Sequence, residues 1–196
     1  MPKIESSRKD GVSVLYAPSI IDWRQWLEIN HSCQDKVWLV FFKKNTNIPT
    51  LTIGKAIEEA LCFGWIDSKS NTRDDKSYYV YFSKRNPKSN WSRINKEKVQ
   101  KLVDAGKMTR AGEQMISIAK QSRTWDALND VENLIIPEDM MDYFWQVPNA
   151  LSKWNDFPRS SKRAILEWIF NAKRSETRSK RIKSAVDQAA LGKRVL

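Results

Sequence analysis

The sequence has few of the residues on which common catalytic and metal sites depend. Its 196 residues include two cysteines, Cys33 and Cys62, one histidine, His31, and six glycines. A zinc site of the Cys/His type would need all three of these side chains to converge on one ion, so we predict no metal site. A cysteine nucleophile could use only His31 as its base. We therefore predict no catalytic residue and no cofactor.

The chain also lacks phosphate-binding motifs and long apolar runs. No G-x-x-x-x-G-K-[ST], G-x-G-x-x-G, H-E-x-x-H or G-x-S-x-G sequence occurs, so the usual signals of nucleotide binding, zinc hydrolysis and serine catalysis are missing. No run of about 18 apolar residues could span a bilayer, and the first residues have no apolar segment of the secretory kind. We expect a cytoplasmic protein with no transmembrane segment.

Positive charge is abundant and unevenly distributed. The net charge is +11, with +1 in residues 1–83, +8 in 84–123, −6 in 124–149 and +8 in 150–196. Basic surfaces attract polyanions, so we predict an anionic ligand, a nucleic acid or an anionic lipid as partner, against the alternative of a merely solvated surface. Like charges repel, so direct binding of cationic peptides is not expected. The acidic segment is the exception, because it could dock a basic protein partner.

Residue periodicity predicts an α+β fold. Segments rich in β-branched and aromatic residues predict strands at 12–16, 37–44, 65–70 and 78–83. Apolar residues at helical spacing predict helices at 18–30 and 52–64, and after Pro87 the helical period dominates. We predict a small mixed α/β N-terminal half, residues 1–86, and an all-helical C-terminal half, residues 87–196, as two subdomains or one compact unit.

Capping residues mark the predicted helix ends. Thr52, Ser92 and Thr109 carry hydroxyl groups that can accept a hydrogen bond from the first helical turn. Gly64 and Gly192 can adopt the left-handed conformation that ends a helix. These residues fix the predicted boundaries more closely than the apolar pattern does.

Residues 59–68 join a predicted helix end to a strand and bring an aromatic ring, a carboxylate and a hydroxyl close together in sequence. Trp65, Asp67 and Ser68 are candidate ligand-binding residues, and the alternative is a structural turn or cap. If Asp67 points inward it needs a hydrogen-bonded partner, because an unpaired buried carboxylate is strongly destabilising. The corresponding alternative function is an enzyme of unrecognised type, with Asp67 or Asp75 as a base beside Trp65.

A basic loop in residues 84–98 opens the next predicted helix. Asn95 falls on the apolar face of that helix near Trp91, so its amide must be satisfied by the preceding loop or by a ligand. The helix N-terminus and Lys88 add positive potential. Lys88, Trp91, Asn95 and Lys96 are therefore candidate anion-binding residues.

The segment 173–183 carries six lysine or arginine residues. Its helical periodicity places Arg178 within an apolar stripe, where a guanidinium usually pairs with a carboxylate or binds an anion. Arg174 would lie one turn earlier, and Arg181 is the third candidate in this segment. A structural salt bridge and an anion site both remain open here. The three segments together predict a protein that binds an anionic ligand or partner.

The order and spacing of these segments resemble the YdeI/OmpD-associated family, also described as bacteriocin-protection proteins. The similar segments are residues 23–27 (WRQWL), 37–40 (VWLV), 61–67 (LCFGWID), 87–92 (PKSNWS), 94–96 (INK), 172–178 (AKRSETR) and 180–182 (KRI). The resemblance implies a bacterial stress-response protein linked to tolerance of bacteriocins, antimicrobial peptides and envelope stress, and it implies no defined site residue. A further alternative is an interaction module whose helical half forms a homo-oligomer through exposed tryptophans.

Overall fold

The computed structural model describes residues 3–196, with side chains from residue 8 onward. The chain divides into two compact units, Met1–Trp125 (unit 1) and Asp126–Leu196 (unit 2). Unit 1 combines a mixed sheet with helices and unit 2 is helical, which confirms the predicted fold class. The predicted boundary after residue 86 lies inside unit 1. It does so because Trp91, Val99 and Leu102 join the core formed by the sheet.

A five-stranded sheet in the order β1-β2-β3-β5-β4 forms the centre of unit 1. The strands are β1 (Lys3–Lys9), β2 (Val12–Tyr16), β3 (Lys36–Phe42), β4 (Trp65–Thr72) and β5 (Ser77–Lys84). Neighbouring strands are antiparallel except for the parallel pair β2 and β3. A parallel pair needs a long crossover connection, and the segment between these strands contains a helix that supplies it.

Strand β1 was not predicted from the sequence. Its segment KIESSRK has neither an apolar alternation nor a cluster of β-branched residues. It pairs with β2 through a two-residue turn at Asp10 and Gly11, whose φ angles are 52° and 73°. Asp-Gly is a typical sequence for such a turn, because both positions need positive φ.

The helices of unit 1 share a buried core with one face of the sheet. They are α1 (Ile20–Asn30), α2 (Ile53–Cys62), α3 (Arg93–Asp104) and α4 (Arg110–Gln121). Trp23 and Leu27 of α1 share a buried cluster with Leu39 and Phe41 of β3. Strand β3 ends two residues before the predicted limit, and a 3-10 turn, Lys44–Thr46, follows it.

The capping predictions are confirmed at several helix ends. The hydroxyls of Thr52 and Ser92 accept hydrogen bonds from the first turns of α2 and α3. Gly64 and Gly192 have φ angles of 73° and 68°, in the left-handed region that ends helices. Thr109 precedes α4 as predicted, but its hydroxyl bonds outside its own helix.

Unit 2 is a bundle of short helices around one long helix. They are α5 (Asn129–Glu132), α6 (Glu138–Gln146), α7 (Ala150–Asn155), α8 (Arg159–Phe170) and α9 (Ser175–Ala190). Helix α9 packs against α6, α7 and α8. It does so through the stripe predicted for it, Ile182, Ala185, Val186 and Ala189. Within residues 3–196, no helix combines the length and apolarity that crossing a bilayer requires.

Each unit contains a buried carboxylate paired with an arginine. Glu59 in unit 1 is 5% exposed and lies 2.8 Å from Nη1 of Arg24. Glu132 in unit 2 is 8% exposed and lies 2.9 Å from Nη2 of Arg163. Pairing offsets the cost of removing a carboxylate from water.

Candidate anion-binding site

Two glycines allow α4 to pack directly on the end of α2. A Cβ at Gly112 would lie 2.3 Å from the carbonyl oxygen of Cys62, and a Cβ at Gly64 would lie 2.7 Å from Cγ of Met115. The hydroxyl of Thr109 donates to the same Cys62 carbonyl at 2.7 Å. Helix α4 therefore forms a wall beside the segment that the sequence had indicated between residues 59 and 68.

The backbone of Arg85 brings the end of β5 to the same place. Its N–H donates to the carbonyl of Gly64 at 2.9 Å. Its Nη2 donates to the carbonyl of Asn90, and the guanidinium carbon lies 3.8 Å from the ring centroid of Trp91. The Trp91 ring in turn packs against Trp125, with 5.0 Å between centroids. Arg85 is thus held in one position by a loop carbonyl and a pair of tryptophans.

The charge of Arg85 has no neutralising partner among the side chains of residues 8–196. The residue is 6% exposed, and its Nε has no hydrogen-bond acceptor. Among side chains 8–196, no carboxylate forms an ion pair with it. Burial lowers the pKa of Arg85 to about 10, so the group stays charged at neutral pH. Buried guanidinium groups are normally paired, and an unpaired one is suited to receive an anion.

Arg85 lines a pocket of about 470 Å³. This volume lies within the range of about 300–1,000 Å³ that is typical of small-molecule sites. Its apolar walls come from Phe63, Pro87, Ala111 and Met115. The polar residues around it are Arg85, Lys84, His31, Ser32 and Gln114. The pocket therefore suits a molecule with an apolar body and an anionic group.

Two other polar side chains in the pocket are already oriented by neighbours. Nδ1 of His31 lies 2.9 Å from the carbonyl oxygen of Leu27. A carbonyl can only accept, so Nδ1 of His31 is the donor in this contact. Nζ of Lys84 lies 2.9 Å from a carboxylate oxygen of Asp35. Unlike Lys84, Arg85 has a positive charge that no carboxylate of the described side chains offsets.

Two candidate residues from the sequence lie too deep to contact a ligand. Trp65 is 0% exposed and Trp91 is 2% exposed. Trp65 packs against Trp26, and its Nε1 donates to the carbonyl of His31. Trp91 supports the guanidinium of Arg85 from behind. Both rings therefore shape the site from within the core, which corrects the expectation of direct ligand contact.

The other candidates of the two N-terminal segments do not line the pocket. Ser68 and Lys88 are exposed. The backbone N–H of Asn95 donates to the hydroxyl of Ser92, and Nζ of Lys96 lies 5.8 Å from the ring centroid of Trp125. Arg85 connects the two segments, because it contacts Gly64 in one and Trp91 in the other. Arg85 was not among the residues predicted from the sequence. No periodicity relates Arg85 to Trp91, because an irregular loop separates them.

Asp67 is half-buried on β4, at an irregularity in the pairing with β5. Burial raises the pKa of its carboxyl, and the charge of Lys98 only partly opposes this effect. The raised pKa of Asp67 would suit the catalytic base of the enzyme alternative. Asp67 does not, however, lie in the Arg85 pocket.

We expect Asp67→Asn to stabilise the protein at neutral pH. A carboxyl whose pKa is raised by folding binds its proton more tightly in the native state, so ionisation costs stability above that pKa. The gain should disappear below the usual pKa range of aspartate, where both states are protonated. Thermal denaturation of both proteins at neutral pH and at a pH below that range measures the gain in stability. Asp75→Asn, in an exposed turn, is the matched control, and a destabilised Asp67→Asn protein at neutral pH would contradict the expectation.

In unit 2 two of the three basic candidates, Arg178 and Arg181, are occupied by structural contacts. Nε and Nη2 of Arg178 donate to the two carboxylate oxygens of Asp139, at 2.6 and 2.8 Å. These bonds hold the pKa of Asp139 below its usual range. Arg181 donates to the carbonyl of Trp168 and lies over its ring. Arg174 is exposed at the N-cap of α9. A pocket beside Arg178 is small, about 100 Å³.

The surroundings of Cys62 do not favour nucleophilic chemistry. Cys62 is fully buried, and burial raises the pKa of its thiol to about 11. A thiol with such a pKa is a poor nucleophile, because the thiolate is the reactive form. Cys33 is exposed. Among the side chains of residues 8–196, no three or more His, Cys, Asp or Glu are grouped so as to hold a metal ion.

Fold and site together define an α+β protein whose sheet-containing unit carries a small-molecule-sized pocket with one buried, unpaired arginine. Residues 15–115 match a domain of unknown function (DUF8412), over more than half of the chain, and the chain belongs to that family. Residues 133–192 match the family described as Bacteriocin-protection, YdeI or OmpD-Associated. This second match confirms the resemblance seen in the sequence. The Arg85 pocket lies within the first. No curated protein and no solved structure matches the chain.

Proposed function

We propose that this protein binds a small organic anion in the Arg85 pocket. The ligand has an apolar body and one carboxylate or phosphate group. The observation that carries the proposal is the buried guanidinium of Arg85, which is 6% exposed and has no carboxylate partner among the described side chains. Burying an uncompensated charge is unfavourable, and an anionic ligand would remove that cost when it binds.

The remaining walls support the class of ligand. The apolar surface of Phe63, Pro87, Ala111 and Met115 suits an alkyl or aryl body. Because Lys84 is paired with Asp35, one anionic group is enough to balance the site. The guanidinium can form two parallel hydrogen bonds to a carboxylate or phosphate, a geometry that lysine cannot offer.

For bacteriocin protection, the role named for the C-terminal match, the proposal implies an indirect mechanism. With a net charge of +11, the protein is not suited to capture cationic peptides by charge. Part of the acidic segment 126–142 is also engaged internally, because Asp139 pairs with Arg178 and Glu132 with Arg163. Binding of an anionic metabolite or signal is therefore the activity through which protection would act.

Thermal denaturation with probe anions tests the proposal. The probes are octanoate, benzoate and phenyl phosphate as sodium salts, each compared with sodium chloride at equal ionic strength and with octanamide as the neutral analogue. A ligand present at 100 times its Kd stabilises the folded state by about 2.7 kcal/mol, so at least one probe should raise the Tm by several degrees. The proposal fails if no probe exceeds sodium chloride, or if octanamide raises the Tm as much as octanoate.

A further inference from the structure

The sheet has a second aromatic cluster, on the face opposite α1 and α2. Trp38 of β3 lies at its centre and is 0% exposed, with Tyr79 and Tyr81 of β5 packed against it at centroid distances of 5.9 and 4.9 Å. Tyr16 of β2 and Phe42 of β3 extend the cluster. The two β5 tyrosines are only half-buried, so their rings reach the surface.

Cations from opposite edges of the sheet converge on this cluster. Nζ of Lys9, on β1, lies 5.4 Å from the ring centroids of both Trp38 and Tyr79. Nζ of Lys69, on β4, lies 5.4 Å from Trp38 and 5.5 Å from Tyr81. The guanidinium of Arg73 lies 5.8 Å from the ring centroid of Tyr79, and its Nε is paired with a carboxylate oxygen of Asp74 at 3.9 Å. Like charges gathered over one aromatic surface repel each other and produce a positive potential there.

Among the described side chains, the carboxylates paired with cations of this face are those of Asp10 and Asp74. Strand register places Lys36 and Asn71 there, and it includes no carboxylate among the described residues of β2 to β5 on this side. The acid nearest to Lys9 is the exposed Asp10, at 3.9 Å. The face therefore combines positive charge with ring surface.

We propose that this face binds single-stranded nucleic acid. The phosphates would lie near Lys9 and Lys69, and unpaired bases would stack on Tyr79 and Tyr81. Cationic side chains beside aromatic rings are the arrangement by which proteins bind single strands without sequence preference, because every base has a π-face. Duplexes keep their bases stacked internally and would gain only the phosphate contacts. The proposal does not depend on the Arg85 pocket.

Fluorescence anisotropy with a labelled oligothymidylate of about 12 nucleotides tests this inference on the full chain. Two phosphate contacts to a single strand, from Lys9 and Lys69, predict that log K falls with log salt with a slope of about −1.4. The affinity should therefore drop roughly 7-fold between about 50 and 200 mM salt. A duplex of the same length should bind more weakly.

Single-residue variants test whether the oligothymidylate binds at the face formed by Trp38, Tyr79 and Tyr81. Lys69→Gln should make the salt slope shallower by about 0.7, the value of one phosphate contact. Tyr81→Leu should weaken binding roughly 5- to 100-fold with the slope unchanged, because stacking carries no charge. Lys180→Gln, in the exposed part of α9, is the control for net charge, and Arg85→Met should bind normally.

Two results overturn the inference. One is the absence of oligothymidylate binding by the unaltered protein at about 50 mM salt, where phosphate contacts are strongest. The other is a Lys180→Gln protein that loses as much affinity as Lys69→Gln. Lys69 is exposed, so its replacement leaves the fold intact, and the Tm of each variant verifies this.

Discussion

Replacing Arg85 with methionine should abolish the stabilisation by organic anions while the protein stays folded. Methionine keeps an unbranched apolar stem beside Trp91 and removes the charge. A hydrogen bond to a charged group contributes about 1.5–3 kcal/mol, so affinity for the anion should fall roughly 10- to 150-fold. Without ligand, the loss of the cation–π contact is opposed by the removal of an unpaired buried charge, and the Tm should change little.

Two matched variants sharpen this result. Arg85→Lys retains the charge but loses the fork geometry, so it should bind the same probe with intermediate affinity. Arg174→Met removes an exposed arginine of unit 2 and should bind like the unaltered protein. Titration of the Tm against probe concentration measures all three. An Arg85→Met protein that keeps the full anion-dependent rise in Tm would show that the anion binds elsewhere.

Replacing Arg24 with methionine should lower the free energy of unfolding by about 3–5 kcal/mol, the usual cost of leaving one charge of a buried pair alone. Glu59 is 5% exposed, and Nη1 of Arg24 is 2.8 Å from its carboxylate. The same guanidinium also lies 5.4 Å from the ring centroid of Phe63, a wall of the Arg85 pocket. The variant should therefore bind the probe anions more weakly as well as unfold more easily.

Urea denaturation separates this effect from ordinary loss of surface charge. The control is Lys55→Met, whose partner Glu58 is more exposed than Glu59, and whose loss should cost less than about 1 kcal/mol. A double variant, Arg24→Met with Glu59→Met, should recover much of the lost stability, because no lone charge remains buried. If Arg24→Met is no less stable than Lys55→Met, the Arg24–Glu59 ion pair is not needed to stabilise the buried carboxylate of Glu59.

Local sequence patterns were sufficient for most individual elements. The strands at Trp65–Thr72 and Ser77–Lys84 and the buried stripe of α9 follow from alternation and helical periodicity, which act within a few residues. Thr52 and Ser92 were found as caps for the same reason, since their hydroxyls bond the next turn. Strand β1 was not predicted, because its pairing is set by the Asp10–Gly11 turn and by its neighbour β2.

The nine tryptophans show why composition could not separate core from surface. Trp65, Trp91 and Trp154 are each at most 2% exposed, whereas Trp145 is 75% exposed. Each indole has the same apolar area and the same donor. Whether it is buried depends on how many elements pack around it, and that number is set by contacts between distant parts of the chain.

The sequence by itself determined the α+β class, most elements, the resemblance to the YdeI/OmpD-associated family and the uneven basic charge. Only the tertiary structure decided which arginine side chain is left to bind an anion. Arg178 and Arg85 are both arginines in basic segments, but Arg178 has Asp139 beside it and Arg85 has no carboxylate among the described side chains. A charge is neutralised over a few ångströms of space, and the groups within that distance come from separate elements that only folding brings together.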